Sequence, residues 1–249
     1  MGEFNNKIVW ITGGTKGIGK KIVEGFLDEG AIVAVNCTGR NYKEMEAFET
    51  ATKGRNVKFF AADLCNDKQV TELVQNVRES YSRLDILINN AGISVDGYIE
   101  DYDVNDFRRV LDTNVCGKYL ALQKAIPLLK ESEYPSVVNI SSRLSVMPME
   151  QSVAYCCSQA AVAMMTKVAV MELSQYGIRV NTVSPSLTET ELSLGFYSKE
   201  ELLATRLSNP RGRLGAVSDV FGAVRFLCSK DADYINGANI HVNGGCVLV

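Results

Sequence analysis

Histidine is almost missing from this 249-residue chain: His241 is the only one. The seven cysteines, at positions 37, 65, 116, 156, 157, 228 and 246, are scattered, and no CxxC pair occurs among them. A zinc site needs a cluster of such ligands, so no metal site is expected. An odd, dispersed cysteine set is also no disulfide framework, and it points to reduced thiols in a cytoplasmic protein. Nor is there a basic excess. Lys and Arg number 26 against 29 Asp and Glu, for a net charge of −3, which leaves no electrostatic footprint for nucleic acid. No run of about 18 apolar residues appears, so no membrane span is expected. The N-terminal stretch runs into a strand pattern without a signal-type apolar region. With five prolines, no linker and no internal repeat, residues 1–249 read as a single domain.

Short β-branched runs alternate with longer helical patterns. Lys7–Thr12, Ala31–Asn36, Val57–Ala62, Ile86–Asn89, Val137–Ser141, Arg179–Ser184 and Asn239–Val242 read as strands, several apolar on both faces as in a buried parallel sheet. Gly17–Glu29, Asn41–Thr52, Asp67–Ser82, Val104–Lys130, Ser152–Tyr176 and Ser218–Ser229 read as helices. The alternation predicts an α/β fold, a doubly wound parallel sheet of about seven strands. Residues 186–215 break the pattern with a polar excursion, helical near Lys199–Leu207, and form a candidate substrate lid.

The first strand runs into Thr12-Gly13-Gly14-Thr15-Lys16-Gly17-Ile18-Gly19 and then a helix. Glycines there permit a tight turn and close backbone approach to a pyrophosphate, and the helix N-terminus adds N–H donors. The spacing is Gly-x3-Gly-x-Gly rather than GxGxxG.

This turn resembles that of the short-chain dehydrogenase/reductase family, and the resemblance extends along the chain. Asn89-Asn90-Ala91-Gly92, the mid-helix Asn114, Asn139-Ile-Ser-Ser142, Tyr155 at 13 residues beyond Ser142, Gly177-Ile-Arg-Val-Asn181 with Pro185, and the segment from Ile235 to Gly245 all fit in order. The C-terminal segment is similar to that of 3-oxoacyl-carrier-protein reductases. The family implies a Rossmann-type domain that binds a nicotinamide dinucleotide through Gly13, Thr15, Lys16, Gly17, Ile18, Gly19, Asp63, Leu64, Asn90, Ala91, Gly92, Pro185 and Thr190. It also implies a small ketone or alcohol as substrate, and a homodimer or homotetramer formed through the long helices.

An acidic residue closing the second strand would hold an NAD ribose and repel a 2′-phosphate. That strand ends Val35-Asn36-Cys37-Thr38-Gly39-Arg40 without one. Lys16 and Arg40 stand near where a 2′-phosphate would lie, which favours NADP(H) over NAD(H).

In the family a Tyr carries the proton, a Ser orients the carbonyl, and a Lys four residues after the Tyr holds the ribose and lowers the Tyr pKa. Tyr155 and Ser142 fill the first two places. The third is Gln159, on the same helical face as Tyr155. Gln can hydrogen-bond a ribose but carries no charge. At about 5 Å and an effective dielectric near 20, a unit charge is worth roughly 3 kcal/mol. Lys167 is about 18 Å along the helix, too far to replace it. Arg143, directly after Ser142, is the nearest other candidate, either for Tyr155 or for an anionic substrate. The family's relay through Asn114 is then broken or rebuilt around Gln159. Three readings follow: an attenuated or specialised NADP(H)-dependent reductase, a silent cofactor-binding subunit paired with an active relative, or a proton-transfer, dehydration or isomerisation enzyme on the same scaffold.

Overall fold

The structure, a computed structural model, describes residues 2–38 and 42–248, with the side chains of Tyr42, Leu192 and Phe196 left aside. Seven strands form one parallel sheet: β1 (Ile8–Thr12), β2 (Ile32–Cys37), β3 (Val57–Ala61), β4 (Ile86–Asn89), β5 (Ser136–Ile140), β6 (Arg179–Pro185) and β7 (Asn239–Val242). Their order is β3-β2-β1-β4-β5-β6-β7, and every pairing is parallel. The expected doubly wound fold is the one found, with strand ends within a residue of expectation.

The helices are α1 (Gly17–Asp28), α2 (Tyr42–Ala51), α3 (Asp67–Tyr81), α4 (Val104–Leu111), α5 (Gly117–Leu129), α6 (Val153–Leu173), α7 (Glu191–Phe196), α8 (Lys199–Ser208) and α9 (Val217–Cys228). Both faces of the sheet are covered, and the period-2 alternation of the strands splits the core in two. Val9, Ile11, Val33, Val35 and Ile88 pack with Phe26, Val220 and Val224 of α1 and α9. Trp10, Ala34, Leu87, Val137 and Val180 pack with Leu73, Val77, Ala121 and Leu128 of α3 and α5. The central strands β1, β4, β5 and β6 are buried throughout, whereas the edge strands β3 and β7 are only partly so.

Two departures from the expected elements bear on function. The single helix expected over Val104–Lys130 is divided by a π-helical stretch, Asp112–Cys116, which carries Asn114. Such one-turn bulges recur at functional positions because they re-aim a side chain without ending the helix. The excursion after β6 is ordered into α7 and α8. Its base is tied by a bridge between Thr188 and Gly215, with Glu189 N–H donating to the Gly215 carbonyl at 2.8 Å.

By length and composition alone, Val153–Tyr176 is apolar enough to cross a membrane, at a mean hydropathy of 1.4. Here one of its faces is built into the fold instead. Thr166 bonds Thr182 of β6 at 2.7 Å and receives the amide of Asn139 at 2.8 Å. The opposite face leaves Met164, Val168 and Met171 exposed.

Candidate active site at the carboxyl ends of the central strands

The strand order reverses between β1 and β4, and in an open parallel sheet the ligand crevice lies there, beyond the carboxyl ends of the strands. The glycine turn and the Asn90-Ala91-Gly92 turn meet in it. Thr12 Oγ1 accepts from the backbone N–H groups of Asn90 (2.9 Å) and Ala91 (3.0 Å). The Asn90 amide donates to the carbonyls of Thr12 (3.0 Å) and Gly13 (2.9 Å). Asn90 therefore joins the two turns rather than simply facing the crevice.

The turn fits a dinucleotide on its own geometry. A Cβ at Gly19 would lie 2.2 Å from the Gly13 carbonyl oxygen, and one at Gly13 would lie 2.9 Å from Ala91 Cα. Gly13 and Gly17 take φ of +63° and +54°, which disfavours side chains there. The first N–H groups of α1 receive no side-chain cap from Lys16, and the first turn holds no acidic residue, so the helix end is left as an anion cradle. Thr190, the N-cap of α7, approaches this turn: its Cγ2 would be 3.4 Å from a Cβ on Gly17. Ile18 packs partly buried on the core, and Leu64 is buried beside Gly117. Asp63 accepts from the Cys65 N–H at 3.0 Å in a tight turn after β3. Lys16 is exposed and lies 4.0 Å from Glu44, a surface pair worth about 0–1 kcal/mol that leaves the ammonium available. Arg40 lies outside the described residues.

Ser142 and Tyr155 come together near the carboxyl end of β5. Ser142 leaves β5 in extended conformation and caps a 3₁₀ turn, its hydroxyl accepting from Leu144 N–H at 3.2 Å. The Tyr155 phenol, from the first turn of α6, faces that hydroxyl. Burial pushes the Tyr155 pKa above its ordinary value, while the Ser142 hydrogen bond opposes the rise. Tyr197, between α7 and α8, adds to the rise at Tyr155, and Arg143 in turn acts to lower the Tyr197 pKa. Arg143 is partly buried, with its guanidinium 3.7 Å from Cys246 Sγ. Tyr197 was not among the residues singled out by sequence, because nothing local marks a tyrosine between two short helices as a neighbour of Tyr155.

Gln159 is 2% exposed, so it lies beneath the crevice floor rather than open to it. Its Nε2 donates to Ser158 Oγ at 3.4 Å. Ser158 also receives the Asn114 amide at 3.0 Å and donates to the Tyr155 carbonyl at 2.7 Å. Asn114 itself clamps Ile93, accepting from its N–H at 2.8 Å and donating to its carbonyl at 2.9 Å. The link between Asn114 and position 159 is therefore kept, through Ser158. One functional candidate escapes sequence reading altogether. Lys118, one helical turn after Asn114, is 1% exposed, and its ammonium donates to the Ile140 carbonyl.

Among the described residues no cluster of His, Cys, Asp or Glu could hold a metal ion, and all seven cysteines are free.

Known proteins match this chain along nearly its full length. Residues 13–247 match the family described as enoyl-(acyl-carrier-protein) reductase. The chain is 33% identical over 247 residues to the 3-oxoacyl-(acyl-carrier-protein) reductase FabG of Staphylococcus epidermidis, covering 98% of this chain and 100% of that one. It is 32% identical over 252 residues to 2-(S)-hydroxypropyl-CoM dehydrogenase 3 of Xanthobacter autotrophicus, covering 99% of each. Among solved structures, ElxO with NADP bound superposes with a TM-score of 0.90 at 29% identity, covering 97% of this chain and 98% of that chain.

Proposed function

Because the chain belongs to the short-chain dehydrogenase/reductase family, we propose that it is an NADP(H)-dependent oxidoreductase interconverting a ketone and an alcohol. The observation that carries this reading is the facing pair of Ser142 and Tyr155 hydroxyls beside the glycine crevice. NADPH, when bound, supplies the hydride. Ser142 donates to the substrate carbonyl oxygen and fixes its direction. Tyr155, protonated at neutral pH as any tyrosine is, delivers the Oη proton to that oxygen. In the reverse direction the same oxygen takes the proton from the alcohol. Residues 186–215, through Tyr197 and Thr190, form the lid that covers the substrate.

The test is nicotinamide oxidation, followed at 340 nm, across a panel of β-ketoacyl thioesters and free cyclic ketones. Turnover with none of them would overturn the proposal. Arg143, near Tyr197 and Cys246, suits a substrate with an anionic group, and by the family resemblance the two positions that are basic in reductases of carrier-bound substrates are Glu133 and Tyr176 in this chain. A free small molecule is thus the favoured class.

Lys16 supports NADP(H), since it can pair with a 2′-phosphate. Lys16→Glu is expected to weaken NADPH binding about tenfold and leave NADH within about twofold. Fluorescence titration of the two nucleotides measures both.

Met164, Val168 and Met171 lie at i, i+4 and i+7 on α6, exposed in one stripe. Such a stripe fits self-association into a homodimer or homotetramer. Light scattering is expected to show that oligomer, and Met171→Asp to shift it toward monomer.

A further inference from the structure

We propose that Lys118 is the cation of this active site. Its ammonium, brought in from α5 beneath the Tyr155–Gln159 face, supplies the positive charge that position 159 does not carry. This rests on the reading of Tyr155 as proton carrier.

Three observations point to it. First, a lysine is almost never fully buried unless something requires it. Lys118 is 1% exposed, and among the described residues no carboxylate pairs with it. Second, its ammonium is held at the carboxyl end of β5. The β4–β5 register ends at Asn89↔Asn139, so Ile140 lies one residue past its last β4 partner, and its carbonyl receives Lys118. The next residue, Ser141, donates to the Gln159 carbonyl at 3.1 Å, and the one after is Ser142, which faces Tyr155. Two strand residues span roughly 7 Å. Third, the surroundings hold acceptors without donors. Gln159 Oε1 and Asn89 Oδ1 are buried and have no partner among the described residues. The Asn89 amide bonds the Lys118 carbonyl at 3.2 Å, and Gln159 belongs to the Asn114–Ser158 link one turn away. An ammonium has three donors, and only the one at Ile140 is engaged here.

The Asn89 amide bonded to Lys118 and its partner Asn139 are uncharged, as are Asn114, Ser158 and Gln159 of the neighbouring link. The titratable and charged residues carried by the neighbouring elements are Tyr155, Cys156 and Cys157 on α6, Asp112 and Cys116 on the π-helical stretch, and Arg143 beyond Ser142, and burial alone shifts Lys118. Burial lowers the Lys118 pKa to about 7. The charge is therefore present below neutrality and lost as pH rises past it. If the ammonium acts across the roughly 7 Å of strand from Ile140 to Ser142, at an effective dielectric near 20, one charge alters the ionisation of a phenol by about fifty-fold. In reduction Tyr155 gains negative charge as it gives up its proton, so this cation favours that step.

The test uses the protein of 249 residues and Lys118→Met, which keeps the unbranched apolar stem, one atom shorter, and removes the charge. Wild-type kcat/KM for NADPH, at saturating ketone, is expected to fall about fifty-fold as pH rises through about 7. Lys118→Met is expected to stay at the low plateau at every pH, with thermal melting reporting that it is folded. Adding Gln159→Lys to Lys118→Met is expected to restore turnover to within about tenfold of wild type, which a merely structural lysine would not permit. Independently of turnover, 13C-lysine NMR of the protein without nucleotide is expected to show one lysine titrating near 7. That signal should be absent from Lys118→Met and should move to higher pH when NADPH is added. A lysine spectrum with nothing titrating below 9, or a double variant no better than Lys118→Met, overturns the inference. If the wild type reduces no ketone while the Lys118 signal behaves as described, the functional reading fails and the buried cation stands.

Discussion

Tyr155→Phe is expected to lower ketone reduction by about a thousand-fold or more while leaving NADPH affinity within about threefold. The substitution removes one oxygen. The ring still fills its place in the first turn of α6, and the link from Ser158 to the Tyr155 carbonyl at 2.7 Å uses backbone, which the variant retains. The loss therefore falls on kcat and not on nucleotide binding. On the proposed mechanism the same phenol sets the pH behaviour of the reverse reaction. Alcohol oxidation needs the phenolate, and burial holds the Tyr155 pKa above its ordinary value. Oxidation by the wild type is accordingly expected to be slow at neutral pH and to climb into the alkaline range. Stopped-flow absorbance at 340 nm in both directions, with fluorescence titration of NADPH, reads all of these quantities. Reduction that persists unchanged in the phenylalanine variant would remove Tyr155 from the chemistry.

The fold was legible because its signals are periodic and local. The strands β1, β4, β5 and β6 are buried on both faces, and their unbroken apolar runs say so. The glycine turn was legible because backbone crowding there leaves no room for a Cβ, so the composition records the geometry directly. The roles around position 159 were harder to read. A helical pattern over Val104–Lys130 carries no mark of a π-helical stretch at Asp112–Cys116, since the extra residue per turn changes hydrogen bonding and not composition. That stretch sets the direction in which Asn114 and the residue one turn later point. Lys118 carries no local mark either. A lysine in a long helix ordinarily reads as part of its solvated face, and sequence spacing from Tyr155 and Ser142 points only to Lys167 and Arg143. The cation lies on the neighbouring helix, in contact only through the third dimension. Its spacing of four from Asn114 was the available signal.

Gly19→Val is expected to weaken NADPH binding by about a hundred-fold or more, and to do so without touching any proton-handling residue. Gly19 is buried in the first turn of α1, and the added Cβ would fall 2.2 Å from the Gly13 carbonyl oxygen and 2.5 Å from Asn90 Nδ2. Neither can yield cheaply. The Gly13 carbonyl is backbone in a residue at φ +63°, and Asn90 Nδ2 is tied to the carbonyls of Thr12 and Gly13. Relief requires the β1 turn to part from the β4 turn, which opens the anion cradle at the α1 N-terminus. Overpacking of this kind costs about 1–3 kcal/mol of stability, so the melting temperature should also fall by a few degrees. Binding suffers more than stability because the displaced groups are the cradle itself. Gly54, at φ +86° but with no atom within 4 Å of its would-be Cβ, supplies the control. Gly54→Ala is strained in backbone alone and should leave NADPH affinity unchanged. Titration of both variants by NADPH fluorescence separates damage to the crevice from general loss of stability, and equal affinity losses in the two would show that the glycine turn is not where the nucleotide binds.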